Sequence, residues 1–277
     1  IIKDSNYNLS LFSAEEIENL RANIFSKIIT GLRRFSPVPS IFFGGMGEPL
    51  FHPNIVEMVR QAKSLGSKVE LITNGTLLTK ELSLSLINAG LDMLWVSVDG
   101  ATPESYADVR LGATLNKVLK NLDHFTEART EAGIYCECGP VPKSELGISF
   151  VAMKRNIADL PVVMEIARRF SAKRLLVTNV LPYTREMIDE TLYNRVLNID
   201  SSKFLSLPRI DIDETTHLPL YQAISSSSGT FSGIGFKNGA NHCQFVESGS
   251  AAISWNGDLS PCLPLLHNYI SYLSSLD

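Results

Sequence analysis

An α/β fold built from repeating strand–helix units is what this 277-residue sequence predicts, and three observations predict it. Short, β-branched and almost continuously apolar runs recur along the first two thirds of the chain. Runs of helical period separate them. The polar residues that break the apolar pattern gather at the carboxyl ends of the runs. Strands of this composition belong in a parallel sheet that helices cover on one face or both.

The first element is the helix "FSAEEIENLRANIFSKIITGL", with Ser13 as N-cap, Glu16 at the capping-box position and apolar residues at helical spacing up to Gly31. "SIFFG" is a strand and "PNIVEMVRQAKSLG" a helix ended by Gly66. "KVELIT" is a strand and "TKELSLSLINAG" a helix ended by Gly90. "DMLWVSV" is a strand, followed by a helix-rich region from about Pro103 to Ala132. "GISFVAMK" is a strand, "DLPVVMEIARRFSA" a helix and "KRLLVTNV" the fifth strand. In such a pattern the leading helix should itself follow a strand, which places a missing first strand upstream of Ile1. Six βα units make either a partial barrel or a doubly wound sheet, and right-handed crossovers permit both. In either case ligands collect at the carboxyl ends of the strands.

From Tyr183 to about Asn241 the period is lost, and the chain is rich in Ser, Gly and Pro, as in a connector or a flap over a site. "SAAISWNGDLSPC" then predicts a hairpin turning at Asn256-Gly257. The chain opens "IIKDSN" without an initiator methionine and stops in the apolar-rich "HNYISYLSSLD". Both ends read as cuts in a longer protein.

Composition narrows the function classes. The chain is 44% hydrophobic and 19% charged, with a net charge of −4, so it offers no basic surface for nucleic acid. No apolar stretch is long enough to span a bilayer and no leader opens the chain, so a soluble cytoplasmic protein is expected, away from membranes. Four cysteines, Cys136, Cys138, Cys243 and Cys262, are few enough in such a chain to be free thiols or metal ligands instead of disulfides.

The strand ends carry the chemistry. They read "GGMGEP", "TNG", "SVDG", "MKRN" and "TNVLPY" in order. Gly44, Gly45 and Gly47 let a ligand approach bare backbone, and Glu48 adds an acceptor-only charge. Carbonyls beside a carboxylate suit an ammonium group, whereas a phosphate cradle wants N–H donors and a lysine, and none follows. On the third strand Ser97 and Asp99 alternate with Val96 and Val98, so both polar side chains share a face. Arg110, shortly after, has the fork geometry that grips a carboxylate. An ammonium site and a carboxylate site two strands apart together match the head of an amino acid.

"FFGGMGEPLFHP", "ITNGTLL" and "SVDGATPESYADVR", in this order on successive strands, resemble the S-adenosylmethionine radical (radical SAM) enzymes. The resemblance implies a partial (βα)6 TIM-like barrel, here lacking its first strand, over residues 1–182. It implies S-adenosyl-L-methionine as cofactor, with Gly44, Gly45 and Glu48 at the methionine amino group, Ser97 and Arg110 at its carboxylate, and Thr73, Asn74 and Asp99 in the same cavity. Asn156 stands where it would approach the ribose. Beyond a connector at 183–241, Cys243, Gly257 and Cys262 fit the C-x13-G-x4-C opening of the SPASM extension, which implies that residues 242–277 begin a site for auxiliary [4Fe–4S] clusters, with Cys243 and Cys262 as ligands. Cys136 and Cys138, in the exposed-looking loop "YCECGPVPKSE", match no ligand spacing, and His52 reads as a residue at the start of a helix.

The family's Cys-x3-Cys-x2-Cys motif, which holds the [4Fe–4S] cluster that reduces the cofactor, is absent from these residues. It belongs in the loop after the missing strand. The 277 residues alone are therefore expected to be inactive. The parent is expected to be an oxidoreductase or maturase that generates a 5′-deoxyadenosyl radical for hydrogen abstraction. Relatives of this kind imply a peptide, protein or cofactor-precursor substrate and an electron donor such as ferredoxin or flavodoxin. Two rival readings remain. One is a barrel acting on a phosphorylated metabolite, for which no phosphate nest is evident. The other is a degenerate barrel serving as a non-catalytic peptide-binding or assembly module.

Overall fold

The computed structural model describes residues 24–45, 47–110, 112–136, 139–141, 143–180, 187, 189–190, 249–254 and 257–261. Helix α1 occupies 24–32, running through Gly31; its predicted start at Ser13 lies outside the described residues. Five strands form one parallel sheet: β1 (Ile41–Phe43), β2 (Val69–Thr73), β3 (Met93–Ser97), β6 (Glu145–Ala152) and β7 (Arg174–Asn179), side by side in that order. These are the five strands expected from the sequence. Their spatial order follows chain order without reversal, as in a barrel; a doubly wound sheet turns back at a switch point.

Between the strands run α2 (Ile55–Ser64), α3 (Lys80–Ala89), α4 (Pro103–Val109), α5 (Leu115–Glu131) and α6 (Leu160–Arg169). Their ends follow local chemistry. The Thr79 hydroxyl accepts the Leu82 N–H to start α3, and Gly90, at φ +100°, closes it. In α4 the Thr102–Ser105 capping box satisfies the first turn.

The parallel register gives the sheet two unlike faces. Leu71, Leu94, Val96, Val98, Ile148 and Phe150 point to the helices and are fully or almost fully buried in the apolar core. Burying each such side chain is worth about 1.5–3 kcal/mol, which makes this face the bulk of the driving force. The opposite, inner face carries Phe42, Glu70, Trp95, Ser97 and Ser149, with Asp99 continuing its line beyond β3. There the Trp95 indole N–H donates to Glu70 Oε2 at 2.7 Å, and its ring lies against Gly147, where a Cβ would overlap the ring.

Two expectations are corrected. Strand replaces the expected loop on either side of residues 137–138: β4 (Ile134–Cys136) and β5 (Gly139–Val141) pair antiparallel between α5 and β6, Cys136 opposite Gly139. The fourth large strand ends at Ala152, because Met153–Asn156 turns away, with the Met153 carbonyl accepting the Asn156 N–H at 3.2 Å. The predicted later hairpin is present as β8 (Ala252–Ile253) and β9 (Leu259–Ser260), and the Gly257 N–H donates to the Ser254 carbonyl at 3.0 Å. Cys243 and Cys262 lie outside the described residues, as do Cys138 and most of the 183–241 connector. No helix among the described residues is long and apolar enough to cross a membrane.

Candidate functional site

The carboxyl edge of the sheet is where polar groups converge. After β1 two positions require glycine: a Cβ on Gly44 would come within 2.6 Å of the Phe42 ring and 2.7 Å of Ile72, and Gly45 sits at φ +126°. The sequence pointed to positive φ and to ligand approach as reasons for this bareness; the structure adds crowding by inner-face neighbours.

Glu48 is the hub of this loop. Its Oε1 accepts the Leu50 N–H at 3.0 Å and the Thr73 hydroxyl at 2.7 Å, and its Oε2 accepts the Asn74 N–H at 2.7 Å. The Thr73 oxygen in turn accepts the Gly75 N–H at 3.0 Å, and Asn74 Oδ1 takes both the N–H and the hydroxyl of Thr76 at 2.9 and 2.7 Å. Thr73 and Asn74 thus fix the carboxylate instead of standing free beside it. A carboxylate has about four acceptor positions, so three donors leave room for one more, of the strength a cation provides.

Two strands along, Ser97 is only 6% exposed, and its hydroxyl makes no hydrogen bond to a described residue. Asp99 is 1% exposed. Its Oδ1 accepts the Val151 N–H at 2.7 Å, and its Oδ2 accepts Arg110 Nε at 2.7 Å and also pairs with Arg110 Nη2. Asp99 therefore stands behind Arg110 and holds it, a role that neighbours in sequence do not reveal. The guanidinium, its side chain 30% exposed, keeps its Nη1 end unbonded among the described residues. Tyr106 is buried beside this pair. Burial pushes its phenol up to about 12, Arg110 pulls against the shift and Asp99 adds to it.

Asn156, expected near a ribose, has a committed amide: Nδ2 donates to the Asp99 and Val151 carbonyls at 3.0 and 2.9 Å, and Oδ1 accepts the Met153 N–H at 2.8 Å. It ties the end of β6 to the loop after β3. His52 accepts the Asn54 N–H on Nδ1 at 3.1 Å just ahead of α2, a local turn contact. Sequence reading missed Asp159, whose Oδ2 accepts the Ala101 N–H at 3.0 Å; its only sequence signal, Asp before Leu-Pro, marks a helix cap.

The edge thus presents acceptors after β1 and donors after β3, which suits a zwitterionic ligand. No cluster of three or more metal-ligating side chains is found among the described residues.

The Radical SAM superfamily model matches residues 14–136. Over 94% of its length the chain is 28% identical to the tungsten-containing aldehyde ferredoxin oxidoreductase cofactor-modifying protein of Pyrococcus furiosus, covering 67% of that protein. It is 26% identical, over 91% of its length, to a probable GTP 3′,8-cyclase of Methanococcus maripaludis, covering 75% of it. Streptococcus suis SuiB bound to precursor peptide SuiA shares the fold with a TM-score of 0.57 at 15% identity, over 87% of this chain and 53% of SuiB. The chain spans about half the length of that structure.

Proposed function

The chain belongs to the radical SAM superfamily, and from that premise we propose that it holds S-adenosyl-L-methionine at the carboxyl edge of its sheet and, in its parent protein, modifies a peptide, a protein or a cofactor precursor. One observation carries the assignment: opposite chemistries stand on the same edge. The acceptor Glu48, fixed by Thr73 and Asn74, follows β1 beside the Gly44 and Gly45 backbone, where an ammonium group needs it. Ser97 ends β3 and Arg110 follows it, where a carboxylate needs donors, and Asp99 orients Arg110. With its amide bonded to backbone, Asn156 shapes the wall at the ribose end without donating to the sugar.

When bound beside a reduced [4Fe–4S] cluster, the cofactor supplies one-electron chemistry that takes a hydrogen atom from substrate. The chain's own part is to grip both ends of the amino-acid head, which costs little reorganisation because Glu48 and Arg110 are already hydrogen-bonded in place. The cluster's cysteines come from chain outside these residues, and electrons from a ferredoxin or flavodoxin. Residues 1–182 form the barrel, 183–241 connect, and 242–277 begin a SPASM-type extension in which Cys243 and Cys262 ligate an auxiliary [4Fe–4S] cluster. A relative named for cofactor modification and a neighbour solved with a precursor peptide support the substrate range. The net charge of −4 supports a partner other than nucleic acid.

Calorimetric titration with S-adenosylmethionine and with 5′-methylthioadenosine, which lacks the amino-acid head, tests this. Glu48→Gln is expected to weaken S-adenosylmethionine by about tenfold or more, the worth of a charge-assisted hydrogen bond, and to leave the thioadenosine unchanged. Equal affinities of wild type and variant for S-adenosylmethionine, or no binding by wild type, would overturn the assignment.

A further inference from the structure

We propose that Asp159 is a positioning residue for the carboxylate-binding end of the site, acting on Arg110 through the loop after β3; this rests on the cofactor assignment above. Asp159 occupies the N-cap of α6, where an aspartate ordinarily accepts an N–H of its own helix. Here it makes no such bond. The reason is local. A 3-10 turn over Ile157–Asp159 runs into α6 and leaves Asp159 itself with helical backbone (φ −81°, ψ −15°) where an ordinary N-cap is extended, and Pro161, at the second position of α6, has no N–H to offer. The carboxylate is free to reach across to Ala101, whose N–H it accepts at 3.0 Å and shares with the Ser105 hydroxyl of α4 at 3.2 Å.

Arg110 depends on that reach. It is the C-cap of α4, a helix of 7 residues and too short to hold itself in place. Its position is set by what grips its two ends, and the segment after β6 grips both. Asn156 Nδ2 donates to the Asp99 carbonyl at 3.0 Å and Asp159 takes Ala101 ahead of α4, while Arg155 Nη1 meets Asp108 Oδ2 at 3.2 Å near its end. The loops after β3 and β6 therefore move as one unit. Of the three ties, only the one through Asp159 joins a charged group to the backbone immediately before the helix. Losing it lets the 99–101 turn relax and shifts Arg110 without removing the Asp99–Arg110 pair.

A positioning role separates from simple destabilisation when the ligand is varied. The chain and its Asp159→Ala and Asp159→Asn variants are titrated with S-adenosylmethionine and with decarboxylated S-adenosylmethionine, which differs only in lacking the group Arg110 would hold. Asp159→Ala is expected to weaken S-adenosylmethionine about tenfold and leave the decarboxylated analogue within about twofold, with Asp159→Asn intermediate because it keeps an acceptor. Equal weakening of both ligands, or of neither, would overturn the positioning role while leaving the cofactor assignment standing. A wild type that binds both ligands equally would remove the carboxylate grip on which the role depends. Failure of wild type to bind either would sink the cofactor assignment, and the inference with it.

Discussion

Strand β3 has an aspartate just outside each end, and the two make the same bonds with different consequences. Asp92, ahead of Met93, accepts the Val69 N–H of β2 at 2.7 Å and pairs with Lys63 of α2 at 2.7 Å. Asp99, past Ser97, accepts the Val151 N–H of β6 at 2.7 Å and pairs with Arg110. Each staples a neighbouring strand and carries one cation. Side-chain exposure separates them: 33% for Asp92 and 38% for Lys63, against 1% for Asp99. In water a charge pair is screened and adds little, whereas a buried one is expensive to break because it strands a charge. The cations differ too. A lysine ammonium at the amino edge is a point charge used up by its partner, while the guanidinium at the carboxyl edge keeps a side for a ligand. One bonding pattern serves as a fastening at one end and as the frame of a binding site at the other.

Asp99→Asn is the sharpest way to break that contrast. It preserves shape and an acceptor for Val151 but leaves Arg110 without its counter-charge. The expected loss is about 3 kcal/mol of unfolding free energy, the low end for a broken buried pair because Arg110 reaches solvent. Urea denaturation measures it, and the transition should shift without a change in slope. A loss below about 1 kcal/mol would mean that burial does not distinguish the two ends.

Lys63→Met is the matching change at the other end. Methionine keeps the stem that packs beside Gly90 and removes only the charge. The expected cost is under about 1 kcal/mol, shrinking further in high salt, since both partners face solvent. A salt-independent loss as large as that of Asp99→Asn would collapse the distinction.

What the sequence disclosed follows the same division. The five strands were legible because each is a dense apolar run, and the shared face of Ser97 and Asp99 followed from a period of two. The chain-order sheet and the inner face then put the chemistry where the βα repeat placed it. The partnerships were not legible. Nothing local says that Glu48 is fastened by Thr73 and Asn74, 25 and 26 residues on, or that Asp159 serves Ala101, 58 residues back, because such bonds depend on which strand ends become neighbours. Asp159 was hidden by its own good propensity, since a helix cap accounts for an aspartate there without any distant partner. The β4–β5 hairpin was hidden differently: Gly139 and Pro140 in "CGPV" read as loop, and its short strands lack the length for an alternating pattern.

The smallest expected effect concerns a group that has no counterpart at the amino edge. Tyr106 is completely buried, and its hydroxyl has no hydrogen-bond partner among the described residues. Tyr106→Phe removes a desolvated group that gains nothing, so near neutral pH the variant should equal or exceed wild type, by about 1 kcal/mol at most. Alkali should widen the gap. Burial raises the phenol from 10.0 to about 12 in the folded chain. A group held neutral by folding gives its full contribution below the unfolded value, and that contribution is lost as pH climbs through the folded one. Between about pH 10 and 12 the unfolded chain releases the proton first, so wild-type stability falls while the phenylalanine variant lacks that slope. Urea midpoints of both proteins at about pH 8 and pH 11 measure the difference. A phenylalanine variant that is less stable at pH 8 would show that the hydroxyl earns its place beside Asp99 and Arg110. The carboxyl edge would then hold a third bonded member, and its contrast with the Lys63–Asp92 staple would be one of network size as well as burial.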